Sequence, residues 1–117
     1  MDALHDKSGK VVAWLERSTG DILDLTGRYV AFVEDDSVYD YRGGAHLGWW
    51  SNDHIRDGYG YVTTFTKNAS SLGVYKPYLA YEPYQPYKSY RPYRPFKSFK
   101  PFRPSFINSW STTAFFT

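Results

Sequence analysis

The chain predicts an all-β protein: four β-hairpin repeats closed with pseudo-four-fold symmetry, followed by an extended, polyproline II-like tail. Three observations carry that expectation. Asp-x-x-Gly recurs four times at nearly even spacing, from Asp6 to Gly60. An aromatic residue then falls at every third position from Tyr75 to Phe102. That period matches the three residues per turn of polyproline II, and neither an α-helix nor a strand would keep such columns on fixed faces. Finally, composition divides the chain: all seven prolines lie between Pro77 and Pro104. Through Val74 there are seven Lys/Arg against eleven Asp/Glu, a net of −4, whereas from Tyr75 onward seven Lys/Arg meet Glu82 alone, a net of +6. An acidic head, residues 1–68, therefore carries a basic tail.

The four repeats are Asp6 to Gly9, Asp24 to Gly27, Asp40 to Gly43 and Asp57 to Gly60. A branched apolar residue precedes each by two positions (Leu4, Ile22, Val38, Ile55), and a small residue followed by an aromatic comes after (Ala13-Trp14, Ala31-Phe32, Gly48-Trp49, Thr64-Phe65). Asp at the first turn position can accept hydrogen bonds from amides beyond it, and Gly at the fourth tolerates positive φ, which is the chemistry of a type I turn closing a G1-bulge hairpin. The third copy holds one extra residue around Gly44-Ala45, read as a bulge. Polar links at Glu16 to Asp21, Glu34 to Ser37 and Ser51 to His54 join the units, and closure of the meander removes its edges. Strands such as Tyr29-Val30-Ala31-Phe32-Val33 are apolar on both faces. The aromatic column of Trp14, Phe32, Trp49 and Phe65, with Val12, Val30 and Leu47, is expected in the core because burying aromatics stabilises a small domain most. The small column, with Leu15, Val33 and Trp50, is then left needing a cover.

The repeated units Asp-Lys-Ser-Gly-Lys-Val-Val-Ala-Trp-Leu, Asp-Leu-Thr-Gly-Arg-Tyr-Val-Ala-Phe-Val, Asp-Tyr-Arg-Gly-Gly-Ala-His-Leu-Gly-Trp-Trp and Ile-Arg-Asp-Gly-Tyr-Gly resemble the four-fold β-flower domains of small bacterial proteins. The resemblance covers about Leu4 to Thr66. It implies a compact domain of four hairpin petals, implies no activity and does not extend to the tail.

Residues 69–74 read as a linker rich in small polar residues. In the tail proper, residues 75–104, a basic column and a Pro/Ser column accompany the aromatic one, and a nine-residue unit is embedded in the triplets: Pro86 to Arg94 reappears as Pro95 to Arg103. Proline-rich basic segments often stay disordered. The continuous aromatic stripe argues instead for docking, on its own head or on a neighbour's, since large apolar patches mark interaction sites. The expected binding residues are Tyr87, Lys88, Tyr90, Arg91, Tyr93, Arg94, Phe96, Lys97, Phe99, Lys100, Phe102 and Arg103. The favoured partner is protein, the chain itself first. The alternatives are single-stranded nucleic acid, where cations follow phosphates and rings stack on bases, or an anionic membrane or cell-wall surface. Within residues 105–117, Phe106 to Trp110 and Ala114 to Thr117 have strand-like composition.

No catalytic residue, cofactor or metal ligand is assigned, and the chain is expected not to be an enzyme. His5, His46 and His54 lack ligand spacing or a triad context, and the aspartates at 6, 24, 40 and 57 are accounted for by their turns. With no cysteine, disulfides and thiolate metal sites are excluded. Neither a signal peptide nor a transmembrane run is visible, so a cytoplasmic location is the default expectation.

Overall fold

The computed structural model describes residues 1–112 and 116, and these contain eight strands and no helix. The strands are β1 (Asp2–His5), β2 (Val11–Glu16), β3 (Asp21–Leu23), β4 (Tyr29–Glu34), β5 (Ser37–Asp40), β6 (His46–Ser51), β7 (His54–Asp57) and β8 (Val62–Phe65). Each pairs antiparallel with the next, and β8 returns to β1 through the single pair His5 and Phe65, closing a barrel.

Turn chemistry explains the hairpins. The Gly9 amide donates to the Asp6 carbonyl at 2.9 Å, the Asp6 amide donates to Lys10, and Asp6 Oδ1 accepts from the amides of Ser8 and Lys10. With Gly9 at φ 84°, this is a type I turn with a G1 bulge. The same bonds recur at Asp24 and Asp57. In the third hairpin the Gly44 amide bonds Asp40 and the Asp40 amide bonds Ala45. The extra residue thus lengthens the turn instead of bulging the strand, and Gly44, not Gly43, is the counterpart of Gly9, Gly27 and Gly60.

The barrel interior corrects the expected faces. Register sets Leu4 opposite Ala13, Ile22 opposite Ala31, Val38 opposite Gly48 and Ile55 opposite Thr64, a branched residue facing a small one in every hairpin. These branched residues form one buried cluster with Ala13, Ala31 and Leu15, joined at its margin by Val30, Val33, Leu47 and Trp50. Trp14, Phe32, Trp49 and Phe65 lie on the outer wall, yet none is more than 1 % exposed. Capacity is the reason. Eight strands about 4.8 Å apart and tilted about 40° close a circle only about 16 Å across at the Cα atoms, too narrow for four large rings. A register shift in each hairpin, as between Ile22 and Leu23, also turns Val30 and Leu47 inward although they share alternation with Phe32 and Trp49.

The tail lies over Phe32, Trp49 and Phe65, through Arg94, Lys100 and Lys76, while Met1 packs on the cluster of Ala3, Val11 and Trp14. Residues 75–107 form neither helix nor strand, and they run around the barrel in the order of the hairpins. The molecule is a disc of 36 × 36 × 23 Å with a Cα radius of gyration of 13.3 Å, close to the ~13 Å of a compact domain of this length. Its width exceeds the barrel's by about 10 Å on each side, the usual distance between packed β-layers. The 69–74 segment is part of this packing, since Leu72 is buried against Phe65 and Val62, with Ala69 and Val74 beside them. At the C-terminal end the expected strand over Phe106 to Trp110 is reduced to one parallel bridge: Val62 donates to Ser109, accepts from Ser111 and faces Trp110. Phe116 packs on the interior cluster, while the rest of the expected apolar end, Ala114, Phe115 and Thr117, lies outside the described residues.

Candidate interaction surface

Tail and barrel meet once per hairpin through the backbone. The amides of Ala80, Ser89, Ser98 and Ile107 donate to the carbonyls of Gly9, Gly27, Gly44 and Gly60 at 3.0, 2.9, 2.9 and 3.1 Å. Each step along the tail is nine residues. At these glycines an added Cβ would run into the carbonyl oxygen of Tyr78, Tyr87, Phe96 or Ser105, again nine apart, whereas one at Gly43 would meet nothing. Proline lacks an N–H, so it is compatible with the third column everywhere except where this bond is made. Ala80, Ser89 and Ser98 are the members of that column between Pro77 and Pro104 that are not proline.

The basic column turns toward the barrel wall. Lys88 pairs with Glu16 at 2.7 Å, Arg91 with Asp21 at 2.8 Å, Arg94 with Asp21 at 3.0 Å, Lys97 with Glu34, and Lys100 with Asp36. Several of these cations also lie over outer-wall rings: Arg94 over Phe32 at 4.6 Å, Lys97 over Tyr39 and Lys100 over Trp49 at 5.7 Å, a favourable placement above an aromatic face. Arg103 stacks on Phe106 at 4.4 Å. Over the first hairpin, where Glu82 and Gln85 interrupt the basic column, Gln85 instead bonds the ammonium and carbonyl of Met1.

Asp21 is the centre of this docking. Its carboxylate has no exposed surface and is gripped by Arg91, Arg94, Tyr41 and Thr19. Burial alone would push its carboxyl up, but the hydrogen bonds from Tyr41, Thr19 and Arg94 outweigh burial and hold it below the ordinary value. Asp36 is likewise held low by the Lys100 ammonium.

The aromatic column does the opposite. Tyr75, Tyr78, Tyr81, Tyr84, Tyr87, Tyr90, Tyr93, Phe96, Phe99 and Phe102 are 89 to 101 % exposed. The expected binding residues therefore separate into two sets: cations turned inward, all onto the barrel except Arg103, which lies on Phe106, and rings left in solvent. Apart from the triplet period, no residue pattern signals this division.

The remaining candidates fall into the scaffold. Asp6, Asp24, Asp40 and Asp57 accept hydrogen bonds from their own turns, Asp57 also from Ser111. Among the described residues no cluster of three His, Asp or Glu could hold a metal ion, and no helix is long and apolar enough to cross a membrane. His5 bonds the Gly9 carbonyl and His46 bonds Ser37. His54 accepts from Arg56, whose guanidinium also donates to the carbonyls of Gly60, Ile107 and Leu72. Sequence reading passed over Arg56, a fully buried cation that fastens both ends of the wrapped segment.

A family model described as 4-fold beta flower protein matches residues 2–117. The match takes in the tail as well as the hairpins, beyond the Leu4 to Thr66 over which the resemblance was expected. Searches among curated proteins and solved structures found no significant match.

Proposed function

Because the chain belongs to the 4-fold beta flower family, whose fold leaves activity open, we propose a non-enzymatic structural and interaction module. Its basic column clamps the tail onto its own barrel, and the aromatic column is thereby held outward as a contact surface for protein. The observation that carries this reading is the double grip of Arg91 and Arg94 on the unexposed carboxylate of Asp21. A loose tail would give no reason to bury that charge, because an isolated buried carboxylate is costly. A polyproline II backbone suits the role, since three residues per turn put cations, amide donors and rings on three separate faces.

Trypsin tests the clamp directly. Most basic residues of the tail precede proline and resist it, leaving Lys88-Ser89 and Lys97-Ser98 as the cleavable bonds within residues 87–104. Both flank the docked amides of Ser89 and Ser98. The native protein is expected to be cut slowly there, and Arg91→Glu with Arg94→Glu at least tenfold faster. Equal rates in both proteins would refute the clamp. The competing role, binding of single-stranded DNA or anionic vesicles through Lys88, Arg91, Arg94, Lys97, Lys100 and Arg103, requires those cations to leave the barrel. A salt titration separates the two, because phosphate-driven affinity falls steeply with ionic strength.

A further inference from the structure

We propose that the exposed aromatic belt is a self-association surface whose partner is the belt of a second copy of this chain, and that the contact is open-ended. The proposal rests on the clamped tail, which fixes the rings in place. Ten rings exposed at 89 to 101 %, at about 200 Å² each, leave on the order of 2,000 Å² of aromatic surface in water, several times the largest apolar patch of an ordinary monomer.

Spacing selects the partner. Rings three residues apart on a polyproline II backbone stand about 9 Å apart, so a ring inserted midway lies about 4.7 Å from each neighbour, within the 4.5–7 Å of favourable aromatic pairs. The belt of a second copy, offset by half a period, offers a ring for every gap. Charge permits the approach, because Lys88, Arg91, Arg94, Lys97 and Lys100 are already paired and the net charge is only +2. An anionic polymer would find those cations turned inward.

Geometry sets the form of the assembly. The belt follows the rim of a 36 Å disc, so two copies touch along a short arc. Each nine-residue unit supplies one such arc of three rings: Tyr78, Tyr81 and Tyr84; Tyr87, Tyr90 and Tyr93; Phe96, Phe99 and Phe102. One arc buries less than the roughly 800 Å² per partner of a standard interface, so each contact is weak. Three similar arcs over successive hairpins give every copy more than one neighbour, and contacts of this kind grow chains or sheets instead of closing a dimer.

Sedimentation velocity of the full chain, from micromolar to millimolar protein in low and high salt, tests this. The average mass is expected to rise past the dimer without a plateau, and to persist in high salt. The triple variant Tyr87→Asp, Tyr90→Asp and Tyr93→Asp is expected to lose most of that growth while keeping its circular dichroism and its trypsin resistance at Lys97. A constant monomer mass, a plateau at dimer, or unchanged growth in the variant would overturn the proposal. A monomer that remains trypsin-resistant at Lys88 and Lys97 would overturn self-association alone, whereas a monomer cut rapidly at both would overturn the clamp with it. Should the monomer bind neutral phosphatidylcholine vesicles through the same rings, a lipid interface replaces the second copy.

Discussion

Arg56 and Lys97 perform one task from opposite sides of the docked layers. Arg56 holds the place in the fourth hairpin that Tyr39 holds in the third, one residue before the turn aspartate. Lys97 of the tail lies over Tyr39, and nine residues later Phe106 of the tail lies over Arg56 at 4.4 Å. Cation and ring have exchanged layers, and the attraction is kept. The exchange buries a guanidinium whose Nε donates to His54 Nε2 at 3.1 Å, so His54 must stay neutral to accept. Burial pushes its pKa below the ordinary 6.5, the Arg56 charge adds to this, and the Asn52 carbonyl and Asp53 partly oppose it. A histidine whose folded pKa is depressed gives stability that is complete above the unfolded value and is lost as pH falls below about 6.5. The urea midpoint is therefore expected to decline between pH 7 and 5, and His54→Gln, which keeps an acceptor, to flatten that decline. An identical pH profile in the variant would assign the acid sensitivity elsewhere.

At the scale of the element, the nine-residue unit is the tail's measure of the barrel: sixteen to eighteen residues of hairpin for every nine of tail, with one amide bond each. Ser89→Pro removes the bond to Gly27 and is expected to cost about 1 kcal/mol, lowering the thermal midpoint by a few degrees. Pro92→Ala removes no such bond and is expected to change the midpoint little. Equal shifts in differential scanning calorimetry would deny the amide its role. The hairpins were legible in the sequence because Asp-x-x-Gly specifies its turn locally, and strand limits at Glu16 and Asp21, Glu34 and Ser37, and Ser51 and His54 follow the polar links. The faces were not, because alternation is blind to barrel capacity and to the bulges that turn Val30 and Leu47 inward. The serines at 89 and 98 were visible as repeats, but their meaning lies in glycines more than fifty residues away.

For the whole molecule, the tail's length and the barrel's girth agree. From Ala80 to Ile107 is 27 residues, which would reach about 84 Å at the 3.1 Å per residue of polyproline II, and three quarters of a circle 36 Å wide is about 85 Å. Complementary charge and an apolar surplus on the head foretold that the halves would meet, but the sequence alone assigned the cover to the wrong face. The tail shields Phe32, Trp49 and Phe65, and burying three such rings contributes roughly 4.5–9 kcal/mol gross, comparable to the entire stability of a small domain. A chain ending at Gly73 is accordingly expected to bind hydrophobic dyes, aggregate and lose cooperative thermal unfolding. A soluble, cooperatively melting head would show that the wrapped segment is dispensable to the fold.

The single pair of His5 and Phe65 that joins β8 to β1 gives this ring a preferred place to open. The seven other joints each hold three or four paired residues. Tension along the chain would concentrate at that joint, and the neighbouring hairpin of β7 and β8 is where Arg56 bonds the carbonyls of Leu72 and Ile107 and where Ser109 and Ser111 hold Val62. The belt resembles a hoop around a split cylinder, with its buckle on the hairpin beside the split. Pulled from the carboxyl end, the buckle is expected to yield before any hairpin and the wrapping to peel back from the fourth hairpin to the first, a series of small ruptures that single-molecule force spectroscopy on the full chain would resolve.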